Sequence, residues 1–315
     1  MANRNFRLVF SFAAIAIIWG FNFIFIDTGL SYSPPIWLAC LRALVGFLGA
    51  LVLLVARKTK GEISLRQRLI SFGIGIIGTG VFFGFWTHGE VTVPAGEASV
   101  LVYTFPIWTL FLSIPILKDR PSPLKVGASF LGFAGVALVA GTGITNWTTD
   151  IGASVMLVIG GFSFALDTVL FKRLFKGEQL LRANVWQLSG ATAFLFIWAI
   201  LSEPVQRINW SWQLAISIGW IGLLGTAVVY VLWFTLISRN NAASFSAYAF
   251  VVVLVALVAS FILFGERVSA LQMVGVVALV SSIYLVNRAS SKHHESKNTK
   301  KSFERDDAAT TIASR

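Results

Sequence analysis

Cysteine, histidine and charge are all scarce in this chain. Its 315 residues include one Cys and three His, which excludes an intramolecular disulfide and leaves too few ligands for a thiolate metal site. Only 12% of the residues are charged, against roughly 25% in a soluble domain. No GxxxxGK[ST] loop is present to couple nucleotide hydrolysis, and no HExxH pair to hold a catalytic metal. Asp27 and Asp167, the two carboxylates that could suggest an acid-protease dyad, fall toward opposite faces of a membrane. An enzyme therefore has little support, and no cofactor or metal is expected.

What fills the space is apolar. Hydrophobic residues make up 56% of the chain and mean hydropathy is +0.78. Apolar runs of helix-spanning length recur from Phe10 to Val286, each long enough to cross the hydrocarbon of a bilayer. Ten spans are predicted, near 8–27, 35–55, 69–88, 96–117, 124–142, 151–171, 185–202, 213–236, 243–264 and 269–287. The first, "LVFSFAAIAIIWGFNFIFI", exceeds a signal-peptide core and is followed by no small-residue cleavage site, so it reads as a retained helix. The net charge of +11 could suggest nucleic acid, but the basic residues are sorted by loop. The N-terminus, the loops after the even-numbered spans and the C-terminal tail hold 22 of the 25 basic residues. The positive-inside rule then puts both termini in the cytoplasm of a cell-membrane protein. The tail after residue 287 is polar and of mixed charge, so it is expected to be disordered, with His293 and His294 solvated rather than a metal pair.

The two halves match in two places. "ASVLVYTF" (Ala98 to Phe105) aligns with "ASFSAYAF" (Ala243 to Phe250), and "DRPSPL" from Asp119 with "ERVSAL" from Glu266. The offsets are 145 and 147 residues, which suggests duplication of a five-span unit. Five is odd, so the second unit must enter the membrane from the other side. Inverted repeats of this kind place a binding site between the halves near the midplane. The expected fold is an all-α integral membrane protein of ten helices, with repeats at 8–142 and 151–287, a cytoplasmic N-terminus at 1–7 and a tail at 288–315.

With "WGFNF" in the first span, an Arg in the second, "GEASVLVYTFPIW" in the fourth and "FGERVSALQMVG" after the ninth, residues 8–288 resemble an EamA-type member of the drug/metabolite transporter superfamily. The resemblance implies a ten-helix secondary transporter exporting small metabolites, with no particular substrate specified. The chain departs from the pattern at Lys118-Asp119-Arg120, where Glu-Arg is expected, and in the ninth span, which lacks a counterpart of Pro106.

Several residues could carry transport. Arg42 stands alone in its apolar span, where a charge costs about 2.5–3.5 kcal/mol on insertion scales. It reads either as a structural group bonded to carbonyls or reaching the headgroups, or as a cavity charge for an anionic substrate group. Glu97 is placed at a depth where it could pair with Arg42, or serve as a first-turn carboxylate on its helix dipole. Asp167 has no cation on its own helix, and Lys172 is turned away; it is protonated, or faces water or a partner on another helix, and is a candidate for proton coupling. Tyr103 and Tyr248 occupy matching repeat positions and suit gates, substrate contacts or interfacial anchors. Trp19 and Asn22 share one helical face, and the amide needs a partner. Trp108, Trp233 and Tyr230 are pocket candidates that could equally face lipid. Gly73, Gly75, Gly78, Gly80 and Gly84 allow close helix approach, within the monomer or in a homodimer.

The expectation is alternating access around a central, aromatic-lined cavity, with a small polar metabolite such as an amino acid as substrate. Proton coupling, exchange and facilitated diffusion all stay open. The alternative class is a membrane receptor or scaffold that binds without transport; within transporters, a nucleotide-sugar or phosphorylated-sugar carrier would want more cavity cations than Arg42 alone.

Overall fold

The computed structural model describes residues 2–59, 61–93, 95–141, 150–255, 258, 269–286 and 288–289. The side chain of Glu97, the Glu266-Arg267 pair and the tail after residue 289 lie outside the described residues.

Among the described residues the chain is helical, with no strand. Seven helices are long and apolar enough to cross a membrane, and shorter apolar helices accompany them. In chain order they are α1 Ala2–Leu30, α2 Pro35–Ala56, α3 Leu65–Gly89, α4 Ala98–Leu117, α5 Pro123–Gly141, α6 Ile151–Leu174, α7 Gln179–Ser202, α8 Trp212–Arg239, α9 over 242–255, and α10 Ala270–Val286. All ten expected spans are accounted for, the ninth in part.

Local chemistry sets the helix starts. Pro34 and Pro35 open α2, where a missing N–H costs nothing. A capping box begins α3: Ser64 and Gln67 exchange side-chain and backbone hydrogen bonds. Ser269 and Gln272 do the same before α10. The start of α2 is capped from a distance, since Glu203 at the end of α7 accepts from the backbone N–H groups of Ile36 and Trp37 at 3.0–3.1 Å. At the other end of this helix pair, Arg182 Nη2 donates to Thr59 O at 2.9 Å. Helices α2 and α7 are thus tied at both ends.

Packing brings α1, α2, α3, α4, α6, α7 and α8 together in the interior. Beside them α5 meets α10, where a Cβ on Gly135 would come 2.9 Å from Gly275 O and one on Gly275 2.8 Å from Gly135 O. Outward faces carry exposed Val52, Val55, Ile197, Ile200 and Leu201, chemistry suited to lipid rather than water.

Two helices depart from α geometry. In α3 the segment Gly75–Gly80 is a π-helix, and in α8 so is Gly219–Val228. Such segments widen the turn and recur at functional sites. Each lies where backbones touch: a Cβ on Gly75 would sit 1.9 Å from Gln187 O, and one on Gly222 3.0 Å from Arg42 O. A Cβ on Gly80 would come 2.9 Å from Phe194 of α7 and one on Gly84 2.3 Å from Trp198, so these two glycines pack inside the chain.

Breaks in α4 and α9 also correspond. Helix α4 is interrupted at Tyr103-Thr104, just before Pro106. Helix α9 passes through a 3-10 turn at Ala247–Ala249, which contains Tyr248. The matching tyrosines therefore stand at matching breaks, although only the first repeat has the proline.

Candidate functional site

Two clusters of buried polar side chains stand out, one on each π-helix. In the first, Asp167 of α6 is 1% exposed. Its Oδ2 accepts from Thr79 Oγ1 at 2.9 Å, and Gln187 Nε2 of α7 donates to Oδ1 and Oδ2 at 2.8 and 2.6 Å. Gln187 also reaches Thr79 Oγ1 at 3.0 Å and accepts from Asn184 Nδ2 at 3.0 Å. Asp167 thus meets its partners on other helices, one of the alternatives the sequence left open. Lys172 points elsewhere and donates to the carbonyls of Ile237 and Asn240 at the end of α8, a favourable place for a cation.

In the second cluster Arg42 is also 1% exposed, which corrects the expectation that its stem could carry it to the headgroups. Its Nε donates to Thr226 Oγ1 at 3.2 Å. Its guanidinium carbon lies 3.9 Å from the centre of the Phe83 ring and 5.2 Å from that of Trp86, the geometry of a cation–π contact. Asn22 is fully buried against Gly225, where a Cβ would come 2.6 Å from Asn22 Oδ1. Trp19 Nε1 donates to Gly225 O at 3.1 Å. Tyr230 is fully buried beside them, its hydroxyl without a hydrogen-bond partner among the described residues. Its ring stands 5.9 Å from Phe83 and 6.0 Å from Phe164.

Tyr103 is buried against Phe23 and Phe105, not at an interface. An aromatic run leads from it through Phe105, Trp233 and Phe245 to Tyr248, with ring centres 5.6–6.0 Å apart. Trp108 is not brought to this centre; it packs edge-on against Phe162 at 5.6 Å, on a partly exposed face of α6.

A cavity of about 420 Å³ opens at the end bearing Arg57, Lys176 and Arg239, with Phe234 as the aromatic among its described lining residues. None of the sequence-predicted site residues lines it. It reaches Asn184, and so touches the hydrogen-bonded chain that leads to Asp167. In the interior the rings of Trp19, Phe164, Tyr230 and Trp233 pack against one another at 5.2–6.0 Å.

Thr79, Gln187, Thr226, Phe83 and Trp86 were not singled out from the sequence. A signal for most of them was present: "GIIGTGVFFGFW" from Gly75 aligns with "GLLGTAVVYVLW" from Gly222 at the same 147-residue offset as the Asp119 match. It pairs Thr79 with Thr226 and Trp86 with Trp233.

Ten membrane-spanning helices in two inverted five-helix repeats, with paired polar clusters between them, define a transporter architecture. The EamA-like transporter family model matches residues 7–141 and again 151–288, and the chain belongs to that family, which is one of transporters rather than enzymes. YvbV, an uncharacterized transporter of Bacillus subtilis, is 29% identical over 286 residues, covering 90% of this chain and 92% of its own. A protein of Salmonella typhimurium named "Probable amino-acid metabolite efflux pump" is 22% identical, with coverage of 86% and 91%. One crystal structure superimposes with a TM-score of 0.74 over 91% of this chain and 98% of its own, at 13% identity; it supports the fold alone.

Proposed function

We propose that this chain is a secondary transporter that exports small polar metabolites, amino acids among them, by alternating access. The observation that supports this reading best is the pair of buried polar clusters on Arg42 and Asp167, held at the interface between the repeats on two π-helices. Charged groups in a membrane interior mark substrate and ion paths. The name of the Salmonella relative is consistent with an amino-acid cargo.

In this reading Asn22, Arg42, Trp19 and Tyr230 contact the substrate, while Tyr103 and Tyr248 act as paired gates at the helix breaks. Asp167 is the site of proton coupling. The basic loops face the cytoplasm with both termini, so the cavity bounded by Arg57, Lys176 and Arg239 is the cytoplasmic vestibule. The chain works as a monomer, since its glycine face is engaged inside the bundle.

The test is untargeted mass spectrometry of cytosol and medium from cells producing the parent chain or an equally abundant Arg42→Gln/Asp167→Asn variant. A compound enriched outside only with the parent supports export and names the cargo. Enrichment inside reverses the direction, and identical profiles for parent, variant and empty cells refute transport.

A further inference from the structure

The two clusters are built from equivalent positions yet hold different chemistry. Asn22 and Asp167 are 145 residues apart, as are Arg42 and Gln187; Gly78 and Gly225, and Thr79 and Thr226, are 147 apart. The contacts correspond as well. A Cβ on Gly78 would come 2.6 Å from Asp167 Cβ, and one on Gly225 2.6 Å from Asn22 Oδ1. Gln187 Nε2 reaches Thr79 Oγ1 at 3.0 Å, and Arg42 Nε reaches Thr226 Oγ1 at 3.2 Å.

In one half a carboxylate, Asp167, stands among these donors and accepts from them. In the other, an amide, Asn22, stands at the position of the carboxylate, and a guanidinium, Arg42, stands at the position of Gln187. Among the described residues, both polar atoms of Asn22 and Arg42 Nη1 are buried without a hydrogen-bond partner. The carboxylate of Glu90 accepts from Trp86 Nε1 at 2.6 Å through Oε1, while its Oε2 is buried without a partner among the described residues, so it makes no hydrogen bond to Arg42 there. A buried donor without an acceptor costs about 1–3 kcal/mol, more when charged. An arginine fork matches a carboxylate in shape as well as charge.

We propose that the Asn22–Arg42 cluster binds the carboxylate of the transported molecule, which takes the place there that Asp167 takes in the other half. This assignment rests on the transport reading and deepens it by giving the substrate class: small carboxylic acids, including amino acids, whose apolar part lies against Trp19, Phe83 and Trp86. The Asn22 amide donates to one carboxylate oxygen, and the guanidinium donates through Nη1.

The experiment is thermal unfolding of the purified full chain, followed with a thiol-reactive dye at the single, buried Cys40. The probes are benzoate, L-phenylalanine and L-leucine, compared with benzamide, phosphate and chloride. Carboxylates should raise the midpoint of the parent and the other probes should not. Asn22→Asp supplies the missing carboxylate from the chain itself. It should raise the midpoint without any probe and weaken carboxylate binding by on the order of tenfold or more. Arg42→Gln copies the side chain of the other half, so it should fold and also lose the carboxylate response. Three results would overturn the assignment: no carboxylate stabilising the parent, stabilisation by benzamide or phosphate equal to that by carboxylates, or an undiminished carboxylate response in Arg42→Gln. Export of a metabolite without a carboxyl group would sink this assignment while leaving the transporter reading intact.

Discussion

Replacing Gly75 with alanine tests the close approach of α3 to α7 with a single methyl group. A Cβ at Gly75 would lie 1.9 Å from Gln187 O, 2.7 Å from its carbonyl carbon and 3.0 Å from its Cα. All three are backbone atoms, so no rotamer change relieves the clash. Restoring an ordinary contact of 3.4 Å would require the helices to part by about 1.5 Å. Overpacking of this kind costs roughly 1–3 kcal/mol. The same movement stretches the 3.0 Å bond from Gln187 Nε2 to Thr79 Oγ1 of α3, adding about 1 kcal/mol. Gly73, two residues away in the same helix, has nothing within 4 Å of its would-be Cβ, so Gly73→Ala should stabilise by about 0.5–1 kcal/mol. The pair should therefore differ by about 3 kcal/mol or more in opposite directions from the parent. Dye labelling of Cys40 during a temperature ramp reads the midpoints, since Cys40 is 3% exposed in the fold. Indistinguishable midpoints for Gly73→Ala and Gly75→Ala would refute the close α3–α7 contact.

Further outcomes follow from other contacts. Glu203→Ala removes the acceptor for two N–H groups at the start of α2 and should destabilise by about 0.5–2 kcal/mol, lowering the midpoint in the same dye assay. Asp167→Asn removes a carboxylate while keeping its shape, so it should abolish proton-driven flux while leaving solute exchange measurable in reconstituted vesicles; unchanged pH dependence would exclude Asp167 from coupling. Asp150 accepts from Ala153 N at 3.0 Å and Thr92 Oγ1 at 2.8 Å, contacts that hold its carboxyl below the ordinary 3.8. A depressed carboxyl stabilises the fold above its unfolded pKa, and the contribution is lost as pH falls through the lower folded value. The midpoint difference between parent and Asp150→Asn should thus be full at pH 7 and shrink only below pH 3.8.

The ten spans were legible because a helix in lipid must be apolar over its whole length, and charge punctuates it. The repeat was legible at Tyr103 and Tyr248, where identical residues recur in register, and their equivalent breaks followed. The partners of Asp167 were not legible: Thr79 and Gln187 are 88 and 20 residues away on other helices, and no single-helix periodicity encodes that meeting. The π-helices were hidden for a related reason. A glycine-rich apolar run reads as an ordinary span, and the widened turn arises from the backbone contacts Gly75 and Gly222 make with α7 and α2. Trp108 shows the limit of composition, because an aromatic side chain suits a pocket, a core or lipid equally well.

The most direct test is flux by the purified chain in proteoliposomes loaded with a labelled amino acid identified by the metabolite screen. Release into the medium should be rapid with the parent chain and fall by on the order of tenfold or more with Arg42→Gln. Flux that matches protein-free vesicles, or that is unchanged in Arg42→Gln, would contradict an amino-acid transporter working through the buried centre at Arg42.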